Sequence, residues 1–119
     1  MLKEKISPFI DKIRSIDGVE VCPLVSRDGI IAGKYFDREL NEPWFGALLA
    51  TILASSESIG GIVTMKSLES VAIRVQDISV MIAGAGENFL IAAILKDRDD
   101  PQKVHNQMLS VGKTIGEVM

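Results

Sequence analysis

The sequence holds one cysteine, one histidine and no cluster of basic residues, and each scarcity excludes a class of chemistry. A single thiol, Cys22, cannot close an internal disulfide, and with His105 as the sole imidazole it cannot complete a zinc site. The net charge is −3 with both signs interspersed, so there is no electrostatic footprint for nucleic acid and no pull towards an anionic membrane. The opening MLKEKISPFIDKIR alternates charge with apolar residues and lacks the uninterrupted apolar core of a signal peptide, so a cytoplasmic location is expected. No internal repeat or low-complexity segment interrupts the chain. What is present is ordinary globular composition, 47% apolar and 24% charged over 119 residues, enough for a single domain, 1–119, with one core.

The chain is organised around residues 43–63, PWFGALLATILASSESIGGIV. Read as a helix opened by Glu42 and Pro43, it places Phe45, Leu49, Ile52, Ser56, Ile59 and Val63 on one stripe, the expected core face. The opposite side carries Ala47, Ala50, Ala54, Glu57, Ser58 and Gly61, small and nearly uncharged where a solvated helix would show Lys and Glu. Small side chains let a second backbone approach closely, so this helix is expected to be covered on both sides. The run is long enough to span a bilayer, but Ser55, Ser56, Glu57, Ser58 and the absence of flanking basic clusters weigh against insertion. A competing reading ends the helix early at Gly60-Gly61, a normal stop signal.

Taken in order, Leu2, Ile6, Phe9, Ile13 and Ile16 mark an amphipathic first helix, with Ser7-Pro8 as N-cap and first helical position. Asp17-Gly18 stops it. Val19, Val21 and Val25 then alternate with polar or small residues as in a strand, Arg27-Asp28-Gly29 supplies a hairpin turn, and residues 30–35 return as the second strand. After a charged loop and the central helix, Val71, Ile73 and Val75 alternate with Ala72, Arg74 and Gln76. Asp77 turns the chain into a strand carrying Ile78, Val80 and Ile82, and residues 84–88 close a second hairpin. Residues 89–95, FLIAAIL, are apolar throughout, the pattern of a central strand covered on both faces. Asp100-Pro101 opens a last helix with Val104, Met108, Val111, Ile115 and Val118 as its buried stripe.

Nothing in this order assembles a catalytic site. Gly112-Lys113-Thr114 imitates the end of a phosphate-binding loop, but Gln107 stands where the earlier glycine belongs and no strand leads into it. Gly84-Ala85-Gly86 lies between strands and lacks the amides of a helix N-terminus. His105 is expected to be solvated, and Cys22 and Ser26 have no base nearby in sequence. Asp97, Asp99 and Asp100 lack the glycine and distal glutamate of a calcium loop. Arg27 and Arg38 lie in turns where they could meet a partner's carboxylate or phosphate.

The element order, the Ile16-Asp17-Gly18-Val19 step, the Arg27-Asp28-Gly29 hairpin, the Ala/Ser-rich central helix and the glycine turn before an apolar strand together resemble the roadblock family. That family comprises dynein light chains of the roadblock type and prokaryotic regulators of Ras-like GTPases. The resemblance implies an α+β sandwich of profilin- or longin-like topology. Its five-stranded antiparallel sheet would carry the central helix on one face and the terminal helices on the other. It also implies a homodimer in which central helices pack together and third strands join edge to edge. The expected interface is then Ala47, Ala50, Ala54, Glu57, Ser58 and Gly61 with Val71, Ile73 and Val75, and Arg27 and Arg38 are candidate partner contacts. No catalytic residue, cofactor or metal is carried over. The expected function is a non-enzymatic homodimeric adaptor that binds a Ras-like small GTPase and modulates its activity or location. The alternatives are a scaffold subunit of a motor-like complex and a small-molecule sensor using the layer between sheet and helix.

Overall fold

The computed structural model describes residues 7–8, 10–12, 19–36, 41–64, 68, 70–96 and 101–118. Residues 7–8 and 10–12 are helical and are labelled α1. There follow β1 (Val19–Ser26), β2 (Ile31–Phe36), α2 (Glu42–Thr64), β3 (Val71–Val75), β4 (Ile78–Ala85), β5 (Phe89–Lys96) and α3 (Pro101–Val118). The five strands form one sheet in the order β2-β1-β5-β4-β3, with every neighbouring pair antiparallel. The expected element order and the helix-on-both-faces layering are found. Leu2, Ile6, Phe9, Ile13, Ile16, the Asp17-Gly18 stop, Arg38 and the acidic group Asp97, Asp99 and Asp100 lie outside the described residues.

The sheet separates two apolar layers. Under α3 and α1, Cys22, Leu24, Met81, Ala83, Ile91, Ala93 and Leu95 meet Val104, Met108, Val111 and Ile115. Ile10 joins them, although it lies off the stripe read from the sequence. Under α2, Val25, Ile82, Leu90 and Ala92 meet Leu49, Ala50 and Leu53. Strand β5 is the middle strand, and Leu90 to Leu95 are all buried because both of its faces are covered. Pro23 is also buried, in the interior strand β1, whose pairing is irregular between Val19 and Val21 and between Leu24 and Val25.

Two hairpin tips lie at the same end of the sheet and each rests on a helix. In the first, the Gly29 N–H donates to the Ser26 carbonyl at 2.9 Å, and Gly29 has φ 92°, the left-handed conformation that glycine adopts without penalty. That tip abuts the start of α2, where a Cβ at Gly46 would collide with the Gly29 carbonyl oxygen. The second tip meets α3, and a Cβ on Gly86 would lie 2.7 Å from the Gly116 Cα. At the opposite end, the β3–β4 turn holds Gln76 at φ 54°, an uncommon conformation for a residue with a side chain.

Candidate functional site

Helix α2 runs unbroken through the Gly60-Gly61 pair to Thr64. Propensity alone would end it there, since each glycine costs about 1 kcal/mol relative to alanine, yet the helix continues, although its buried residues Gly46, Leu49, Ala50 and Leu53 all precede the pair. Its phase differs from the sequence reading. The sheet-facing stripe is Gly46, Leu49, Ala50 and Leu53, with Leu49 and Leu53 only 2% and 1% exposed. Ile59 and Val63, expected in the core, are 62% and 71% exposed, and Ala50, expected on the outer face, is buried against the sheet. The cause is that α2 is apolar nearly all round, so the apolar residues do not by themselves say which stripe faces inward. The glycine at position 46, which lets the first hairpin close in, decides the rotation.

With that rotation, a second apolar stripe stands beside the buried one. Phe45, Leu48, Ile52, Ser55, Ile59 and Ile62 recur at alternating steps of three and four residues, the spacing of a helix–helix seam. Phe45 and Ile52 are half-buried, while Leu48, Ile59 and Ile62 are exposed, Ile62 at 84%. Trp44 is exposed at the same end as Leu48. Of the small residues expected at an interface, Ala47, Ala54, Ser58 and Gly61 lie on the exposed side of the helix. Three hydroxyls of the helix turn back onto its own backbone: Thr51 Oγ1 donates to the Ala47 carbonyl at 2.8 Å, Ser58 Oγ to the Ala54 carbonyl at 3.2 Å and Thr64 Oγ1 to the Gly60 carbonyl at 3.0 Å. Polar groups satisfied on their own helix make the surface apolar in effect.

Strand β3 lies at the sheet edge, paired with β4 on one side only among the described residues. Val71 and Ile73 are half-buried against the α2-side layer, and Val75, two residues further along the same face, is 59% exposed. An edge of this kind, open and lined by valine and isoleucine, is a template for another strand.

Arg27 is not an outstretched side chain. Its Nη1 donates to Glu57 Oε1 at 2.8 Å and its Nη2 to the Gly86 carbonyl at 2.8 Å, while its backbone N–H donates to the Asn88 carbonyl at 3.0 Å. The guanidinium thereby ties both hairpin tips to the middle of α2. Gly84 makes room for it, since a Cβ there would stand 2.9 Å from Nη2. Glu57, expected at an interface, is exposed but already engaged in this ion pair.

His105 also departs from the solvated position expected for it. It is half-buried, with Nε2 at 2.7 Å from Ser70 Oγ, tying α3 to the entry of β3. Its buried Nδ1 has no partner among the described residues, so the pair lacks the orienting group that holds a Ser–His dyad in its working tautomer. Gly112 and Gly116 face the second hairpin from within α3, which leaves the Gly112-Lys113-Thr114 run as helix rather than loop. An open cleft of about 550 Å³ lies there, lined by Gly86, Glu87, Asn88, Lys113, Gly116 and Glu117. The described residues contain no group of three or more metal-ligating side chains.

The surface most unlike ordinary solvated surface is therefore one side of the molecule, the exposed seam of α2 and the open edge of β3. A fold of this layering is found among solved structures. Myxococcus xanthus MglB superposes with a TM-score of 0.87 at 13% identity, covering 98% of this chain and 88% of that one. A Roadblock/LC7 domain from Streptomyces avermitilis gives 0.80 at 14% identity, covering 91% of each chain. Schizosaccharomyces pombe profilin gives 0.70 at 14% identity, covering 92% of this chain and 95% of that one. No curated protein sequence matches the chain. At these identities the likeness is one of fold, and sequence carries the assignment further: the Roadblock/LC7 domain model matches residues 9–95, from the first helix through β5, and the chain belongs to that family.

Proposed function

We propose that this chain is a non-enzymatic regulator that works as a homodimer in the cytoplasm, binding a Ras-like small GTPase and modulating its activity or location. The observation that carries the reading is the combination of an apolar seam on α2, with Leu48, Ile59 and Ile62 exposed, and the edge strand β3, bordered by Val71, Ile73 and Val75. Isolated exposed apolar residues are normal, but a contiguous set on one helix and the adjacent strand marks an interaction site. Membership of the Roadblock/LC7 family supports the choice of partner.

Arg27, the described arginine set in a turn, is held by Glu57 and Gly86 and is not extended towards a partner. Any effect on GTP hydrolysis would then run through positioning of the partner's own catalytic groups. The layer between sheet and α2 is filled by Leu49, Leu53, Ile82 and Leu90, each 2% exposed or less, which does not favour a small-molecule sensor at that place.

The test is calorimetric titration of the purified chain against purified Ras-like GTPases of the same organism, each loaded with GDP or a non-hydrolysable GTP analogue, followed by phosphate-release assays. Saturable binding that differs between the two nucleotide states is expected. Absence of binding to every such GTPase in both states overturns the reading, and equal binding in both states moves it to a scaffold subunit.

A further inference from the structure

We infer that the cleft between the second hairpin and the end of α3 is a docking site for an extended protein segment carrying an arginine and an acidic residue two positions apart. The cleft belongs to the α3 side of the sheet, opposite the α2 layer, so the inference goes beyond the reading above and does not depend on it.

The cleft encloses about 550 Å³ and its walls are fixed by contacts within the chain. One wall is the hairpin tip. Arg27 holds that tip through Nη2, which donates to the Gly86 carbonyl at 2.8 Å, and through its backbone N–H, which donates to the Asn88 carbonyl at 3.0 Å. The other wall is α3. Where the walls meet, Gly86 and Gly116 stand so close that a Cβ on Gly86 would lie 2.7 Å from the Gly116 Cα, and one on Gly116 would lie 2.9 Å from the Gly86 Cα. A floor to which neither residue contributes a side chain is bare peptide, on which a planar group can lie.

Three charges face this space without partners. Among the described residues, Glu87, Lys113 and Glu117 enter no ion pair or hydrogen bond, although all three line the cleft. Lys113 and Glu117 are four residues apart on α3, where opposite charges can pair, but lysine on the N-terminal side is the weaker order. Glu117 also sits in the last turn of α3, which has no basic residue. The carbonyls left without an intrahelical partner at such an end favour a cation and disfavour a carboxylate. A charge set against its own helix is a local conflict of the kind that binding sites carry.

The chemistry of the occupant follows from these three charges. With Glu87 on one wall and Glu117 on the other, a cation is held from two sides. Guanidinium suits the place, because its fork of N–H donors matches carboxylate oxygens in plane and its flat face fits the glycine floor. A bare cation would leave Lys113 unmatched, and a simple anion would leave both glutamates so. From Lys113 to Glu117 the helix rises about 6 Å. In an extended chain, side chains two positions apart share a face at a spacing of roughly 6.7 Å. An arginine seated between Glu117 and Glu87 therefore brings the residue two positions away to Lys113, and an acidic side chain there completes the match.

The test is amide NMR of the isotope-labelled full chain titrated with two capped peptides, acetyl-Ala-Arg-Ala-Glu-Ala-amide and acetyl-Ala-Glu-Ala-Arg-Ala-amide. Saturable shifts confined to residues 86–88 and 113–117 are expected with at least one of the two orders, at millimolar peptide, since ion pairs in contact with solvent contribute little each. The doubly substituted Glu87→Gln, Glu117→Gln chain, altered only at exposed positions, is expected to bind roughly tenfold more weakly. Glutamine in place of the arginine of the peptide is expected to weaken binding by the same factor. Absence of shifts at these amides with both peptides, or shifts centred elsewhere on the chain, overturns the site. Equal binding by the glutamine peptide or by the doubly substituted chain overturns recognition of an arginine.

Discussion

Two glycines in α2 should respond to the same substitution with opposite sign. Replacing an interior helical glycine by alanine favours the helix by about 1 kcal/mol, because the unfolded chain loses freedom and the helix loses nothing. At Gly61 no atom lies within 4 Å of the added Cβ, so Gly61→Ala should gain nearly all of that, about 0.5–1 kcal/mol. At Gly46 the Cβ would collide with the Gly29 carbonyl oxygen and stand 3.3 Å from both the Gly29 carbonyl carbon and Ile31 Cγ1. The obstructing atoms are backbone, held by the Gly29 N–H to Ser26 bond at 2.9 Å, and no rotamer change relieves them. Overpacking of this kind costs about 1–3 kcal/mol, and a backbone obstruction belongs at the upper end, so Gly46→Ala should lose about 1–2 kcal/mol net. The two variants then differ by about 1.5–3 kcal/mol, or roughly 1–2 M in urea midpoint at the slopes usual for small proteins. Urea unfolding followed by far-UV circular dichroism at one fixed protein concentration measures this, the concentration being fixed because association adds to apparent stability. Equal stabilisation by both substitutions would refute the close approach of the first hairpin to α2, and with it the rotation that exposes the seam.

Other perturbations probe the remaining supports. Arg27→Ala should destabilise by about 1–2 kcal/mol in the same assay, more than Glu57→Gln, because it removes the carbonyl bond as well as a half-exposed ion pair. Leu53→Ala, at 1% exposure between α2 and the sheet, should cost about 2–5 kcal/mol in urea unfolding. Gln76→Gly should raise the thermal midpoint by relieving a positive φ that costs a side-chain-bearing residue about 1–2 kcal/mol, less the entropy glycine adds to the unfolded chain. A fall in the midpoint would mean that the Gln76 side chain contributes more than its backbone conformation costs.

How much could be read beforehand depended on contrast along each element. In α3, Lys103, Gln107 and Lys113 separate Val104, Met108, Val111 and Ile115, and the stripe of those four residues is the one found buried. Strand β5 was legible for the opposite reason, since an unbroken apolar run suits only a strand covered on both faces. The strand pairs and their order around the central helix follow from alternation and the Asp-Gly turn. In α2 the apolar residues run round the helix, so the element was plain but its phase was not, and Ala50 and Ile59 exchanged places between core and surface. The missing information was tertiary: the hairpin that must pass Gly46 lies 17 residues earlier in the chain at Gly29. Arg27 could be placed in a turn but not between Glu57 and Gly86, partners 30 and 59 residues away. His105 likewise meets Ser70 across 35 residues, a pairing that local polarity does not reveal.

Each part of the functional reading depends on the seam and the β3 edge being an interface between copies. The solution mass of the purified chain, measured by light scattering across a dilution series, tests that most directly. A mass of twice 12.9 kDa, stable on dilution, is expected. A mass of 12.9 kDa at every concentration would contradict the homodimer and leave the exposed seam to a different protein.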